Sequence, residues 1–168
     1  MKNPARLLLC CALCIPTLSS ACEPTAAQAE DYWQRSRENE EAHVGRLART
    51  ADQIFTGTVV DVTDLPDGPH AQLAHISVEA VLKGHPDDVT SARMYLRVNP
   101  ARDNPSLDQS RSCDEARDPT RDEPYVVKTY RYLYYVKDGV LLRANAFPIG
   151  PPPLQPEAEM ELLRQAGL

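Results

Sequence analysis

Apolar residues recur at helical spacing in one early segment of the chain. Val44, Leu47, Ala48 and Ala51 fall on one side of a helical projection, and charged residues fill the opposite side. The pattern predicts a helix over residues 31–52 that buries one face.

The hydrophobic period then shortens to two, which is typical of half-buried strands. Residues 53–63 are rich in β-branched side chains and end at a turn signal, Asp-Leu-Pro-Asp-Gly. Residues 74–82 and 90–98 alternate between apolar and polar positions. We therefore expect three strands in this half of the chain.

Two more strands and a helix are predicted in the second half. Residues 125–137 are dense in Tyr and Val, which favour sheet. Asp138-Gly139 then predicts a tight hairpin turn, and residues 140–147 return as the fifth strand. Residues 157–165 have the apolar spacing of a short amphipathic helix.

A long connection separates the third and fourth predicted strands. Residues 99–124 hold four prolines, seven acids and four arginines. A loop of this length is uncommon in a compact domain and is either functional or mobile.

These elements predict a mainly β fold. Five strands between a leading and a trailing helix are typical of an OB-like Greek-key barrel. Gly57 in the first strand agrees with this prediction, because barrel strands need a bend or bulge where they coil. With 168 residues, the chain is expected to form one domain and to act as a monomer.

The N-terminus has the layout of a secretory signal peptide. Lys2 and Arg6 precede an apolar run over residues 7–18, which is too short to span a bilayer. We predict a signal peptide over 1–21, a tether over 22–30 and the folded domain over 31–168.

The end of the signal resembles the lipobox of bacterial lipoproteins. Leu18-Ser19-Ser20-Ala21-Cys22 places a cysteine where that family carries its lipid, which implies lipidation of Cys22 and a membrane anchor at the cell envelope. A rival site for ordinary signal peptidase ends at Ala29 and predicts soluble secretion instead. An uncleaved anchor is the third alternative.

The net charge of the chain argues against nucleic acid as a partner. The net charge is −6, and removing residues 1–21 takes away two basic residues and no acid, which leaves −8. An acidic chain disfavours nucleic acid, whose binding requires a basic face.

After removal of 1–21 only two cysteines remain, Cys22 and Cys113. Cys113 is therefore a free thiol or, if Cys22 is unmodified, the disulfide partner of Cys22.

Four segments in order resemble the netrin-like domains, the family that includes the tissue inhibitors of metalloproteinases. They are residues 51–59, residues 75–84 with the Lys83-Gly84 ending, the pair at 112–113, and residues 130–135. The resemblance covers residues 44–147 and implies an OB fold in an exported protein.

The inhibitor function of that family depends on an N-terminal Cys-x-Cys motif. The sequence here is Cys22-Glu23-Pro24, without the second cysteine, so the resemblance implies the fold rather than protease inhibition. A soluble metalloprotease-inhibitor-like protein stays as an alternative function.

Two clusters are candidates for chemistry. One face of the second predicted strand carries His75, Ser77 and Glu79. These side chains could bind a metal or act in general acid–base catalysis. The alternative is that they form the solvent-exposed side of the strand. A small metal-dependent enzyme built on His70, His75 and His85 is a second alternative. We expect no metal site, no cofactor and no catalytic residues.

The fourth predicted strand carries the candidate binding surface. Tyr130, Tyr132 and Tyr134 share one face, and Arg131 lies on the other. Such aromatic rows either stack a ligand or fill a barrel core. The sequence thus predicts a lipid-anchored, non-enzymatic binding or accessory module of the bacterial envelope, whose partner is an envelope protein or a glycan.

Overall fold

The computed structural model describes residues 25–66, 71–95, 124, 126–147 and 154–168. Within them the protein is mainly β, with one five-stranded sheet, a long N-terminal helix and a short C-terminal helix. For these residues the predicted mainly β class, with five strands between a leading and a trailing helix, is confirmed. Neither helix among these residues has an apolar stretch long enough to cross a membrane.

Helix α1 spans Ala26–Thr50 and begins earlier than the predicted residue 31, within the predicted tether. The Thr25 hydroxyl accepts the backbone N–H of Gln28 at 3.3 Å, and the Gln28 side chain accepts the backbone N–H of Thr25 at 2.9 Å. This reciprocal capping box satisfies two amides at the helix start. The apolar periodicity marks only the part of the helix that is packed, whereas the capping residues set where it begins.

The first three strands lie close to their predicted positions. They are β1 (Gln53–Asp64), β2 (Ala71–Lys83) and β3 (Val89–Tyr95). Residues 96–98 of the third predicted strand lie outside the described residues.

Strands β4 (Arg131–Lys137) and β5 (Val140–Phe147) form a hairpin. Asp138 has φ 49° and Gly139 has φ 72°, which are the positive values that a type I′ turn requires. The twist of this turn matches that of the strands it joins, so the turn and β5 lie as predicted.

The prediction of strand from residue 125 is wrong for residues 126–130. Thr129 has φ 74°, a left-handed conformation that interrupts a strand. The backbone N–H of Thr129 donates to the carbonyl of Val59 at 2.9 Å, and the N–H of Val127 donates to the Tyr132 hydroxyl at 2.9 Å. Residue-type preference for sheet cannot detect this turn, because it depends on contacts with β1.

The strands are paired in the order β1-β2-β3-β5-β4, and β4 pairs back with β1. All pairs are antiparallel except β3 with β5, which meet at Arg93 and Val140. The backbone N–H of Arg93 donates to the Gly139 carbonyl at 2.7 Å at this junction.

Gly57 permits a close approach of β1 to β2. A Cβ atom at this position would lie 2.4 Å from the carbonyl oxygen of Ser77. The register between the two strands also shifts between Thr56 and Gly57, as at a bulge. The predicted role of Gly57 as a bend in the first strand agrees with this geometry.

The sheet has an apolar cluster on each face. The inner cluster is built around Phe55, Val59, Ile76, Met94, Tyr132, Tyr134 and Leu141. The outer cluster lies between the sheet and the helices and includes Val44, Ile54, Leu133, Tyr135, Leu154 and Leu163. The C-terminal helix α2 (Pro156–Gln165) and the second half of α1 cover this outer face.

Candidate functional site: a cleft between the two helices

A cavity of about 570 Å³ lies between α1, the C-terminal residues and the end of β2. Its apolar walls come from Val44, Ala48, Leu162, Leu163 and Leu168. Glu41, Arg49 and Lys83 add charge to the lining. The volume lies within the range of roughly 300–1,000 Å³ that is typical of small-molecule sites.

Gly45 keeps one wall of the cleft open. Among the described residues, a Cβ atom there would meet only the Arg49 guanidinium, at 3.9 Å. Internal packing therefore does not require a glycine, although glycine within a helix costs roughly 0.5–1 kcal/mol relative to alanine. The missing side chain leaves space on the cleft side of α1.

Lys83 joins the cleft to the C-terminal end of α1. Its Nζ donates to the carbonyl oxygens of Ala48 at 2.8 Å and Ala51 at 2.6 Å. The last carbonyls of a helix lack partners within it, and a cation there also complements the helix dipole. An ammonium group has three donors, so one N–H of Lys83 is left for solvent or a ligand.

Gly84 brings β2 against the residue that follows the helix. Its φ is 79°, and a Cβ atom would lie 2.4 Å from the carbonyl oxygen of Asp52. The Lys83-Gly84 pair thus holds the end of β2 to the end of α1. The Lys83-Gly84 ending, which is part of the resemblance to the netrin-like domains, thus has a local structural role.

A buried ion pair fixes the distance between the two helices. Arg143 of β5 donates to both carboxylate oxygens of Glu159 on α2, from Nε at 3.1 Å and from Nη2 at 2.9 Å. Its Nη1 lies 3.0 Å from Oε2 of Glu40 on α1. Both carboxylates are almost completely buried. One guanidinium therefore connects α1, β5 and α2.

Asn145 completes this cluster. Its Nδ2 donates to Oε2 of Glu159 at 2.6 Å and to the carbonyl oxygen of Leu154 at 3.1 Å. Leu154 lies in the segment that leads into α2, so the amide positions the start of that helix. Most buried polar groups in folded proteins are hydrogen-bonded, as this amide is.

The electrostatics of the cluster favour a charged Arg143. Burial alone would lower the pKa of the guanidinium, but the neighbouring charges of Glu159 and Glu40 outweigh it and raise the pKa. Burial, together with the charge of Glu159, also raises the pKa of Tyr135. The phenol thus stays neutral beside the ion pair.

The tyrosine surface predicted from the sequence is largely interior. Tyr132 is 4% exposed and Tyr134 is completely buried in the inner cluster, where Tyr134 stacks on Phe55 with centroids 5.2 Å apart. This placement corrects the predicted surface, because strand alternation points these rings into the core. Tyr130, which is 43% exposed, and Arg131 remain at the surface.

Arg131 belongs to an ion pair on the outer face of the sheet. Its Nε donates to Oε2 of Glu79 at 2.6 Å, and the Thr58 hydroxyl donates to Oε1 of Glu79 at 2.7 Å. These contacts, that of Thr58 foremost, lower the pKa of Glu79 despite the opposing effect of burial. The Arg131 guanidinium also lies 4.3 Å from the ring centroid of Phe147.

The histidine site given as an alternative is not assembled among the described residues. His75 contacts the hydroxyls of Ser91 at 2.9 Å and Thr63 at 3.5 Å. It therefore has different partners from Glu79. His70 lies outside the described residues, which contain no group of three metal-ligating side chains.

Three other predicted features lie outside the described residues. They are the lipidation site Cys22, the thiol Cys113 and all of the 99–124 segment except Pro124. Their predictions stand as they were made from the sequence.

Sequence reasoning missed the buried ion pair that holds the helices beside the cleft. Glu40 is among the charged residues assigned to the exposed side of the predicted helix, and its burial corrects that assignment. Its spacing gave a usable signal, because it precedes Val44 by four residues and Ala48 by eight and therefore shares their face. A carboxylate at such a position requires a buried partner. Its partner Arg143 is remote in sequence, so no local spacing indicates the pair.

Comparison with protein-family models gave no match to this chain. Comparison with curated proteins gave no significant match either.

Proposed function

We propose that the chain is an exported, lipid-anchored binding module of the bacterial cell envelope, without enzymatic activity. Its fold would be an OB-like Greek-key barrel of the netrin-like type. The strand order β1-β2-β3-β5-β4, with β4 returning to β1, supports this assignment. The parallel meeting of β3 and β5 is a second point of agreement. The charged and apolar layout of residues 1–21 supports export.

The cleft between the helices is the observation that carries the binding function. It combines apolar walls with a few charged groups, which is the usual composition of a small-molecule site. Arg49 and Lys83 lie near the C-terminal end of α1, whereas Glu41 lies about two turns earlier on the helix. The ligand we propose is a small amphiphile with an apolar body and one anionic group at the Arg49 end.

This chemistry differs from the glycan expected at the tyrosine row. Glycan binding needs exposed aromatic rings and unoccupied hydrogen-bonding groups. Tyr132 and Tyr134 are buried, and Glu79 and Arg131 are bonded to each other.

Fluorescent probes test the cleft directly. Anilinonaphthalene sulfonate carries one anionic group, and N-phenylnaphthylamine is its neutral counterpart. We expect the folded protein to enhance the emission of both and to bind the sulfonate more tightly. Arg49→Gln should reduce the preference for the sulfonate, because it removes one of the two cations from the lining.

A matched pair of variants locates the bound probe. Gly45→Leu places a side chain toward the cleft, whereas Ala42→Leu adds the same side chain at an exposed position of α1. Gly45→Leu should abolish probe binding and Ala42→Leu should not. Equal binding by both variants, with unchanged circular dichroism, would exclude the cleft as the site.

The anchoring part of the proposal has its own test. Mass spectrometry of the mature protein from its native host should show an acylated Cys22. An unmodified N-terminus following Ala29 would indicate soluble secretion. A free Cys22 amine would instead support the inhibitor-like alternative.

A further inference from the structure

The buried face of α1 continues beyond the part that the sheet covers. Ser36, Glu40, Val44 and Ala48 are buried at intervals of four residues. Trp33 precedes Glu40 by seven residues and Val44 by eleven, and both intervals return to the same helix face. Yet Trp33 is 47% exposed. The helix face that is buried from Ser36 onward is thus half-exposed at Trp33.

Tyr32 packs against Trp33, so the exposed site consists of two aromatic rings. The rings of Tyr32 and Trp33 meet edge to face, with centroids 5.3 Å apart and an angle of 78° between their planes. Both side chains combine an apolar body with a polar N–H or O–H. This combination is enriched where a membrane meets water.

The length of chain preceding α1 places this pair close to Cys22. Thr25 caps the helix, and eight residues of helix from Thr25 to Trp33 span about 12 Å. The three residues from Cys22 to Thr25 span at most about 10 Å. Trp33 therefore lies within about 22 Å of Cys22, comparable with half the thickness of a bilayer including its headgroups.

The neighbouring charges do not oppose contact with lipid. Arg35 pairs with Asp31 one turn earlier, with an N–O distance of 2.8 Å. Glu30 and Arg37 add one charge of each sign. Because these four charges balance, this part of the helix has no net charge that would repel charged headgroups.

We propose that Trp33, with Tyr32, inserts into the headgroup layer of the membrane that holds the acylated Cys22. The first turns of α1 then lie against lipid, and the described domain is held close to the membrane. This inference rests on the proposed lipidation of Cys22, which the mass measurement tests separately.

Trp33 reports on its own surroundings because the chain contains one tryptophan. The acylated protein is incorporated into phosphatidylcholine vesicles, and its emission is compared with that of the Cys22→Ser protein in buffer. We expect a blue shift on the membrane and quenching by lipids brominated near the headgroup. Emission that stays typical of water in the acylated, vesicle-bound protein would overturn the inference while leaving lipidation intact.

Two other results in buffer would also overturn it. Blue-shifted emission of dilute Cys22→Ser protein would mean that the chain itself covers Trp33. A blue shift that grows with protein concentration and without vesicles would mean that a second copy covers it.

Flotation of the Cys22→Ser protein with vesicles measures the contribution of the aromatic pair. Trp33→Ser should lower its partition into vesicles by about tenfold or more, from the apolar area that is no longer buried. Val89→Ser removes an exposed apolar side chain from β3 and should leave partition unchanged. Equal partition of both variants would contradict the proposed contact.

Discussion

Arg143 and Glu159 form a bidentate ion pair that is buried between β5 and α2, with N–O distances of 3.1 and 2.9 Å. Glu40 on α1 binds the same guanidinium from a third element. The pair therefore sets the separation of the helices that form the cleft walls.

Removing the Glu159 carboxylate should destabilise the protein strongly. Glu159→Ala leaves Arg143 buried with only part of its compensating charge, a change that typically costs about 3–5 kcal/mol. Chemical denaturation measures the loss in the free energy of unfolding. Glu161→Ala removes an exposed partner of Arg164 on the same helix and should cost less than about 1 kcal/mol. Similar losses in the two variants would contradict the assigned role of the buried pair.

Lys83 is expected to stabilise the end of α1. Lys83→Met keeps most of the apolar stem but removes the two hydrogen bonds to Ala48 and Ala51. We predict a loss of about 1–3 kcal/mol in the free energy of unfolding, typical of hydrogen bonds from a charged group. Lys128→Met, which breaks an exposed pair with Asp61, is the control and should change stability by less than about 1 kcal/mol. A smaller effect at position 83 than at 128 would refute the capping role.

Two glycine substitutions should act in opposite directions. Gly57→Ala forces a Cβ against the Ser77 carbonyl and should destabilise the protein by about 1–3 kcal/mol. Gly45→Ala meets no such obstacle and should stabilise it by roughly 0.5–1 kcal/mol through helix propensity. Thermal unfolding shows whether the melting temperature falls in Gly57→Ala and rises in Gly45→Ala. A destabilised Gly45→Ala would mean that the cleft wall has packing that the structure does not show.

Tyr134 should make the fold sensitive to alkali. Burial, followed by the charges of Tyr132 and Glu79, raises its pKa above the ordinary value of 10.0. A group whose pKa is raised on folding contributes stability below its unfolded pKa and loses it as the pH rises further. The free energy of unfolding should therefore decline above about pH 10.

The variant that checks this decline is Tyr134→Phe. The Tyr134 hydroxyl has no hydrogen-bond partner among the described residues, so its loss should be close to neutral at pH 7. The variant should lose less stability than the wild type between pH 9 and pH 11. An identical pH dependence in the two proteins would assign the alkaline sensitivity to other groups.

Local sequence patterns located a strand well when one of its faces is buried and its neighbouring turn has a recognisable sequence. β5 lies where it was predicted because Asp138-Gly139 fixes the hairpin. β4 begins later than predicted because Thr129 adopts a left-handed conformation, which its residue type does not indicate. The start of α1 was missed because it depends on the capping pair Thr25 and Gln28 rather than on periodicity.

The cleft was beyond local reasoning for a different reason. Its defining contacts join residues far apart in sequence, such as Arg143 with Glu40 and Lys83 with Ala48. Period and propensity describe neighbours along the chain and carry no information about such pairs. Tyr132 and Tyr134 share a face as predicted, whereas Tyr130 lies outside the strand, and sequence alone left open whether the shared face was interior.

Native mass spectrometry of the mature protein, gently extracted from its host membrane, detects both the acyl group and a ligand held in the cleft. We expect an acylated chain that carries one non-covalent amphiphile, which is lost in Gly45→Leu and retained in Ala42→Leu. An unacylated chain, or a bound mass that is the same in wild type and Gly45→Leu, would contradict the proposed function.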